Sequence, residues 1–267
     1  GGQFNMAKRI PGKEEFHETL RYYRRMIEVL GIDLRLSTTA SARSLKDGGF
    51  DEVVVATGID PRVPGIPGVD SKKVVGYVDV ISGRVKPGKN VAILGAGGIG
   101  FDVALYLLEG ASRAPLEAKA FSEHWGIDMK VAAAGGLAGD PAPEAPSHRI
   151  TMLKRSPSSF GSTLGKTTGW IHRATLAMKQ VRLIGGVHYE RITPEGIVVS
   201  RGDDGRDRQL VPCDSVVLCA GQEPLRELHA PLQAAGVTVH LIGGADEAAE
   251  LDAKRAIAQG TTLAAAM

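Results

Sequence analysis

A glycine-rich hexapeptide, GAGGIG at 95–100, is the segment whose residue types and spacing most directly predict chemistry. It follows a predicted strand, Asn90 to Leu94, and begins a predicted amphipathic helix, which is the context that a dinucleotide-binding turn requires. The first glycine of such a motif permits a sharp turn, the second lets backbone approach a pyrophosphate, and the third allows close packing of helix on strand. Free N–H groups at the helix N-terminus attract the phosphates. A purely structural turn is the alternative; the predicted nucleotide-binding residues are Gly95, Gly97, Gly98, Ile99 and Gly100.

The residues after the next predicted strand, Ile150 to Leu153, indicate which dinucleotide binds. An acidic residue at this position favours NAD, but here the strand is followed by Lys154, Arg155 and Ser156. An arginine can grip a 2′-phosphate through its guanidinium fork, and a lysine adds a point charge. We therefore predict NADPH, with a solvated charge pair as the alternative. The prediction requires residues 110–149 to loop out, because the cations follow the glycine motif by far more than the usual spacing of about 20 residues.

Hydrophobic periodicity around these motifs predicts an α/β chain. Residues 110–149 break the pattern because they are rich in Ala, Gly and Pro, so we predict a surface insertion with one short helix around Phe121 to Trp125. The predicted helices are 14–30, 170–180 and 247–259, besides the one that follows the glycine motif. The predicted strands are 32–36, 51–58, 90–94, 150–153, 181–184 and 214–219, together with a three-stranded meander at 187–192, 196–200 and 208–211.

A short internal repeat suggests two related units in the chain. DEVVVATGIDP at 51–61 aligns without gaps with DSVVLCAGQEP at 214–224, and each segment combines an apolar strand with a glycine turn. Chance is the alternative, because one apolar strand resembles another.

Composition excludes several classes of function. The 267 residues carry a net charge of +2 without a long basic run, which argues against nucleic acid or an anionic membrane as a partner. No apolar stretch approaches the roughly 20 residues of a membrane span, and the first residues lack a secretory signal pattern. Cys213 and Cys219 form neither a CxxC pair nor a metal-ligand cluster. We therefore expect a cytoplasmic protein with buried thiols and no metal, and we disfavour a thioredoxin-reductase-like site.

Two further segments suggest ligands without specifying them. Gly161 to Thr167 is similar to a triphosphate-binding loop, but three residues instead of four separate its glycines. We therefore predict no ATP hydrolysis and solvent-facing positions for Lys166 and His172. Asp246 follows paired glycines before a predicted helix, where a carboxylate either caps the helix N-terminus or contacts a ligand.

Across nearly its whole length the sequence resembles the C-terminal region of the bacterial NADPH-dependent 2,4-dienoyl-CoA reductases, within the Old Yellow Enzyme-like flavoproteins. KTTGWIHR at 166–173 and WGID at 125–128 are the specific matches, because they are not general flavoprotein motifs. The other matching segments are GGQFN at 1–5, IPGKEEF at 10–16, LRYYRRMIEV at 20–29, GAGGIGFD at 95–102, CAGQEP at 219–224, VHLIGG at 239–244 and ELDAKRAIAQG at 250–260.

The resemblance implies an α/β flavoprotein in which a Rossmann-like NADPH-binding domain is inserted into an incomplete FAD-binding domain. It implies hydride transfer from NADPH to FAD, with the protein supplying position and electrostatics and no catalytic side chain. Electrons would then pass through an iron–sulfur cluster to FMN in an N-terminal barrel, which reduces the unsaturated fatty acyl-CoA. Beyond the NADPH motifs, the residues implied for cofactor binding are Gln3, Ala56, Thr57, Gly58, Ala220, Gly221, Gln222, Asp246, Leu251, Asp252 and Ala253.

The sequence lacks parts that such an enzyme needs. These 267 residues contain neither the glycine-rich first turn for FAD nor the barrel, and two cysteines cannot hold an iron–sulfur cluster. We therefore predict a partial FAD-binding domain at 1–76 and 216–267, and a complete NADPH-binding domain at 77–215. FMN, the cluster and the barrel would belong to the rest of the parent enzyme. The alternative is an NADPH-binding fragment without activity of its own, because its FAD site is incomplete.

Overall fold

The protein consists of two compact units. The larger unit contains Gly1–Tyr22 and Val63–Ala220, and the smaller unit contains Tyr23–Arg62 and Gly221–Met267. The larger unit therefore interrupts the chain of the smaller one. The computed structural model describes residues 1–109, 112–114, 116–202, 207–248 and 253–267.

The division between the units differs from the predicted boundaries at residues 76 and 216. Val74–Gly76 and Ser215–Leu218 are neighbouring parallel strands in the sheet of the larger unit. These backbone hydrogen bonds place both strands in the larger unit. Which cofactor each unit binds stays a prediction.

The described elements follow the α/β pattern that the sequence predicts. The helices are α1 (Phe4–Ala7), α2 (Phe16–Val29), α3 (Ala42–Asp47), α4 (Tyr77–Ile81), α5 (Gly98–Glu109), α6 (Ala118–Trp125), α7 (Gly169–Met178), α8 (His229–Ala234) and α9 (Ala253–Ala266), with short 3₁₀ turns at Ala134–Gly136 and Gly243–Ala245. The strands are β1 (Glu52–Val55), β2 (Ile59–Pro61), β3 (Val74–Gly76), β4 (Asn90–Leu94), β5 (Arg149–Leu153), β6 (Arg182–Ile184), β7 (Val187–Thr193), β8 (Gly196–Arg201), β9 (Asp207–Pro212), β10 (Ser215–Leu218), β11 (Gln222–Pro224) and β12 (Thr238–Leu241).

A five-stranded sheet in the order β3-β10-β4-β5-β6 forms the centre of the larger unit, and all of its pairings are parallel. The central strand, β4, is almost entirely apolar, as is usual for a strand of a parallel sheet that is covered on both faces. Val91 and Ile93 of β4 pack on one face with residues of α4, α5 and α7. Ala92 and Leu94 pack on the other face, since successive side chains of a strand alternate in direction.

The predicted meander covers the second face of this sheet. Strands β7, β8 and β9 form a three-stranded antiparallel sheet. Its buried residues Ile197, Val199 and Val211 join the same core as Ala92 and Leu94. The meander prediction is therefore confirmed, with each strand one or two residues longer than predicted.

The predicted insertion after α5 is confirmed as a segment that adds no strand to the five-stranded sheet. It contains α6, which includes the helix predicted around Phe121 to Trp125, and a single antiparallel bridge between Ile127 and Leu137. Gly126 ends α6 in the left-handed region at φ +67°, as a glycine after a helix often does.

The smaller unit contains two strand pairs. β1 and β12 are parallel, β2 and β11 are antiparallel, and Val55, Leu232 and Ala245 form a small core. The repeat predicted from the sequence has a structural counterpart. In both copies an apolar strand (β1 or β10) is followed by a glycine with positive φ and a short strand (β2 or β11), and the two short strands pair with each other.

The strand predicted at Ile32 to Leu36 is wrong. These residues have no strand hydrogen bonds within the part of the chain that the structure describes, and Leu36 is 75% exposed. An apolar alternation becomes a strand only where a neighbouring strand can pair with it. The described part of the final helix is Ala253–Ala266; residues 247 and 248, which the prediction includes, are not helical, and residues 249–252 lie outside the described part of the chain.

Two kinds of feature are absent from the described residues, a membrane-spanning helix and a cluster of metal-ligating side chains. Among the helices in the described ranges, none is both long enough and apolar enough to cross a membrane. Within the same ranges, no three His, Cys, Asp or Glu side chains lie together in a way that could hold a metal ion.

Candidate nucleotide-binding sites

In the larger unit, the glycine motif forms the turn between β4 and α5, and its first glycine is required by the backbone. Gly95 has a φ of +118°, and a Cβ atom there would overlap the carbonyl oxygen of Cys219. The Gly95 N–H donates to the Leu153 carbonyl at 2.9 Å, and the Cys219 N–H donates to the Leu94 carbonyl at 2.8 Å. The turn therefore joins the ends of β4, β5 and β10.

The other glycines of the motif differ in the space around their Cα atoms, which is open at two of them and closely packed at the third. Gly97 and Gly98 are exposed, and an added Cβ atom at either would meet no described atom within 4 Å. Gly100 is buried, and a Cβ atom there would overlap the Gly95 carbonyl oxygen. Because α5 begins at Gly98, its first backbone N–H groups, which lack intrahelical acceptors, lie at the open turn. This geometry suits the approach of a pyrophosphate.

The turn also lies where a doubly wound sheet offers a ligand crevice. The chain runs from β4 to β5 and β6 on one side, whereas β10 and β3 lie on the other side of β4. Ligands bind outside the carboxyl ends of parallel strands at such a reversal of strand order. The loops after β4, β5 and β10 bring Gly95, Lys154 and Ala220 to this edge. The three predicted segments thus meet at one place, although they are distant in sequence.

The two adjacent cationic side chains that follow β5 differ in their contacts. The Lys154 ammonium donates to Ser158 Oγ at 2.9 Å and to the Ser159 carbonyl at 3.1 Å, and it lies 4.7 Å from the centre of the Phe160 ring. Lys154 therefore stabilises its own loop. Arg155 is exposed, and its guanidinium makes no hydrogen bond or ion pair with any described residue. Ser156 Oγ lies 2.9 Å from Ser158 Oγ in the same loop.

Further contacts hold this loop against the start of the meander. The Lys154 N–H donates to the Ile184 carbonyl at 3.1 Å, and the Gly186 N–H donates to the Ser156 carbonyl at 3.1 Å. Tyr189 donates its hydroxyl to the Leu153 carbonyl at 3.0 Å. Burial raises the pKa of Tyr189 to about 12, although the nearby positive charge of Arg155 acts in the opposite direction. Arg155 is thus presented from a fixed backbone beside the glycine turn.

An ion pair at the start of α5 was not predicted from the sequence. The Lys13 ammonium donates to both oxygens of Asp102, at 2.6 and 2.8 Å, and both side chains are about one-third exposed or less. His172 is half-buried, which corrects the predicted solvent-facing position, whereas Lys166 is exposed as predicted. Burial lowers the pKa of His172, and Lys13 lowers it further while Asp102 opposes the shift. Only the position of Asp102, two residues after the glycine motif, could have indicated this cluster.

In the smaller unit, two glycine turns approach each other beyond the carboxyl ends of β1 and β12. Gly58 has a φ of +83°, and Thr57 donates its hydroxyl to the Leu225 carbonyl. A Cβ atom on Gly244 would lie 2.7 Å from Ile59 Cγ2 and 3.1 Å from the backbone of Gly58. The close approach therefore requires glycine at 244. The arrangement again places glycines at the carboxyl ends of parallel strands.

Asp246 is held at this second turn by a glutamine that the sequence interpretation missed. Gln259 of α9 donates from Nε2 to Asp246 Oδ2 at 2.7 Å and accepts the Gly243 N–H at Oε1, also at 2.7 Å. Arg226 donates to the Asp246 carbonyl at 2.8 Å. Gln259 thus fixes one carboxylate oxygen of Asp246, Oδ2. The local sequence gives no signal for the role of Gln259.

The remaining predicted residues are distributed over both units. Ala56 is exposed at the end of β1, Gly221 and Gln222 lie at the start of β11, and Ala253 is exposed at the first position of α9. Gln3 precedes α1 in the larger unit, where its carbonyl accepts the N–H groups of Met6 and Ala7. Leu251 and Asp252 lie outside the described residues. The binding role of each predicted residue stays a prediction.

A glycine turn at the reversal of strand order in a parallel sheet, together with a glycine-lined pair of parallel strands in the second unit, is typical of dinucleotide-binding α/β folds. The chain belongs to the pyridine nucleotide-disulphide oxidoreductase family, a family of flavin-dependent oxidoreductases, which it matches over residues 5–251. The predicted α/β flavoprotein fold is therefore confirmed.

The relatives that match most of the chain include two reductases and an NADH oxidase of Thermoanaerobacter brockii. A metal reductase of Desulforamulus reducens is 28% identical over 249 residues, which cover 92% of this chain and 36% of the relative. A bilirubin reductase of Mediterraneibacter gnavus is 26% identical over 261 residues, which cover 97% of this chain and 34% of the relative. A solved 2-naphthoyl-CoA reductase complex shares the fold at a TM-score of 0.74 and 24% identity, covering 97% of this chain and 33% of that chain. The chain spans about a third of the length of these proteins.

The cysteines of this chain do not form a dithiol site of the kind the family name implies. Cys213 and Cys219 are both free thiols. Cys213 is buried as predicted and Cys219 is half-buried, and desolvation raises the pKa of each thiol. Since the thiolate is the reactive species, a raised pKa leaves both side chains unreactive.

Proposed function

We propose that this chain is the electron-input module of an NADPH-dependent reductase of the 2,4-dienoyl-CoA reductase type. In this proposal the larger unit binds NADPH and the smaller unit holds FAD. The family gives the general chemistry, and the reductase names of the relatives favour the direction from nicotinamide to a further acceptor. The unsaturated acyl-CoA substrate and the N-terminal barrel that would reduce it belong to the proposal alone, and they rest on the sequence resemblance.

The observation that carries the preference for NADPH is the position of Arg155. It follows β5 directly, beside the glycine turn at the end of β4. A chain that prefers NADH places a carboxylate at this position, whereas a guanidinium complements a 2′-phosphate. Because Lys154 is engaged within its loop, the specificity rests on the guanidinium of Arg155.

The smaller unit fits part of a flavin nucleotide. Gly58 and Gly244 add no side chain where two parallel strands end, and Asp246 Oδ1 has no hydrogen bond with the described residues and would accept a hydroxyl of the ligand. FAD, when bound, supplies the two-electron acceptor for the hydride of NADPH. The chain's own residues bind, orient and exclude water, and no side chain is needed as a general base.

A second candidate function is NADPH binding without flavin reduction. The observation that favours it is the small sheet of the smaller unit, in which β1 has β12 as its one hydrogen-bonded neighbour among the described residues. A two-stranded parallel sheet is a weak platform, since parallel strands are normally buried in larger sheets.

A single preparation of the 267-residue chain distinguishes the two functions. Nucleotide fluorescence gives the dissociation constants for NADPH and NADH; we expect NADPH to bind more tightly. FAD is then added, free flavin is removed, and NADPH is titrated without oxygen while flavin absorbance is followed. Retained flavin that bleaches supports the electron-input module. Bound NADPH without retained flavin supports the second candidate, and binding of neither nucleotide overturns both.

A further inference from the structure

Three ionisable side chains lie buried together at the end of α5 that is remote from the glycine turn. Glu109 is the last residue of α5, His124 lies on α6, and Lys179 directly follows α7. The side chain of Lys179 is 1% exposed, that of His124 is 5% exposed and that of Glu109 is 13% exposed. Charged side chains are almost never buried to this degree unless they are paired. The nucleotide site described above uses none of the three.

Glu109 is the centre of this cluster. Its Oε1 atom lies 3.5 Å from His124 Nε2 and 3.8 Å from Lys179 Nζ. The Lys179 ammonium also donates to the Glu144 carbonyl at 2.7 Å. The cluster therefore connects α5 and α7, which pack on the central sheet, with two points of the segment at 116–148.

The attraction between the charges of Glu109 and Lys179 stabilises this cluster, in which not every polar atom is hydrogen-bonded. Within the described part of the chain, neither Glu109 Oε1 nor His124 Nδ1 has a hydrogen-bond partner of normal geometry. With a neutral histidine, the carboxylate of Glu109 balances the ammonium of Lys179. A proton that enters the cluster leaves these three buried side chains with a net positive charge, which the exposed carboxylate of Glu144 offsets in part. An unbalanced buried charge is strongly destabilising.

We propose that Glu109, His124 and Lys179 form an acid-sensitive latch that holds residues 116–148 on the larger unit. At neutral pH the latch is closed because its charges balance. As the pH falls, protonation favours a state in which the segment has separated and His124 is hydrated. The device lies within one unit and does not depend on the cofactors that we propose for the protein.

The direction of the pH effect follows from the shifted pKa values. Burial lowers the pKa of His124 below its ordinary 6.5, and Lys179 lowers it further, while Glu144 acts in the opposite direction. As the pH falls, His124 of the released segment therefore binds a proton near pH 6.5, whereas His124 of the closed latch binds one only at a lower pH. Closure should weaken as the pH falls below 6.5, by at most about tenfold per pH unit.

Glu109 limits the pH range of this effect. Burial raises its pKa and Glu144 raises it further, while Lys179 lowers it. A group whose pKa is raised in the closed state favours closure as the pH falls through that raised value. The weakening therefore ends once the closed cluster takes up its first proton. The expected window begins at the ordinary histidine value and extends downward from it.

Trp125 provides a local probe of this latch. Its ring centre lies 5.2 Å from that of His124, and the one other tryptophan of the chain is Trp170. In the Trp170→Phe chain we would record tryptophan emission from pH 8 to 5. Hydrogen exchange of backbone amides, corrected for the intrinsic pH dependence, would be measured on the same samples for residues 116–148 and for the central sheet.

We expect the emission to change with a midpoint below 6.5 and the exchange of 116–148 to rise over the same range, while the sheet stays protected. His124→Gln should abolish both changes, and His188→Gln, at an exposed histidine of β7, should abolish neither. Exchange that does not depend on pH, or a pH dependence that persists in His124→Gln, would overturn the latch. If His124→Gln does not fold, the His124 ring resonance in the unmodified chain decides, since a midpoint at or above 6.5 overturns the proposal.

Discussion

Replacing Arg155 by methionine should remove the preference for NADPH over NADH. The guanidinium is exposed, follows β5 beside the glycine turn, and has no ionic or hydrogen-bond partner in the described ranges, so its removal breaks no ion pair or hydrogen bond with those residues. Methionine keeps most of the length of the side chain without the charge. The change therefore tests the contact with the 2′-phosphate and little else.

The size of the effect follows from the number of charged hydrogen bonds that are lost. A hydrogen bond to a charged group contributes about 1.5–3 kcal/mol, which corresponds to roughly a 10- to 150-fold increase in the dissociation constant for NADPH. NADH has no 2′-phosphate, so its dissociation constant should stay within about twofold, or about 0.4 kcal/mol. Binding of NADPH to the unaltered chain should also weaken as salt is added, because exposed charges are screened.

Two further variants separate the roles of neighbouring cations. Lys154→Met removes the contacts with Ser158 and Ser159, so the loop should loosen, while the preference for NADPH remains and its affinity falls by less than about tenfold. Arg149→Met is the matched control, because Arg149 is an exposed arginine at the opposite end of β5, about 13 Å from Leu153 at the strand rise per residue.

Fluorescence titration of all three variants with NADPH and NADH provides the comparison. Arg149→Met should leave both dissociation constants unchanged. If Arg155→Met weakens the two nucleotides equally, or if Lys154→Met loses the NADPH preference to the same extent, the assignment of Arg155 to the 2′-phosphate is wrong.

Four other substitutions test the backbone and side-chain contacts of the two candidate sites. Gly100→Ala should lower the free energy of unfolding by about 1–3 kcal/mol in a urea titration, because the new methyl overlaps a backbone carbonyl. Gly98→Ala faces open space, so it should keep the stability and weaken only nucleotide binding; equal stability losses at both positions would contradict this. Gly244→Ala should destabilise the smaller unit by a similar amount, and an unchanged thermal midpoint would refute the close approach of its two turns. Asp102→Asn should increase amide exchange around Lys13 while lowering the free energy of unfolding by no more than about 1 kcal/mol, since the pair is partly exposed.

Local patterns were sufficient to predict the elements that carry the nucleotide motif. The strand β4, the glycine turn and the start of α5 are encoded by one short continuous segment, residues 90–100. Each glycine has the environment that its place in the motif predicts. The meander was predictable for the same reason, because its strands alternate apolar and polar residues and pair with their neighbours in sequence.

Contacts between distant segments were not predictable in this way. Lys13 and Asp102 are 89 positions apart, and no periodicity relates them. The same holds for Gln259 and Asp246, which the turn after β12 and the helix α9 bring together. The strand predicted at 32–36 is absent for a related reason. Its apolar and polar residues alternate as in a strand, but none of the described residues pairs with it. In each case the decisive fact is which segments meet, and one sequence does not contain it.

The insertion between α5 and β5 shows why separation along the chain was a poor guide to the site. Strands β4 and β5 pair in register from Asn90 with Arg149 to Leu94 with Leu153. The register places the end of β5 beside the glycine turn, just as in a chain where α5 leads directly to the next strand. Residues 116–148 add no strand to the sheet, and the cluster around Glu109 connects them with α5 and α7. Arg155 therefore lies beside the glycine turn because β5 ends there, and the length of the insertion has no effect on that position.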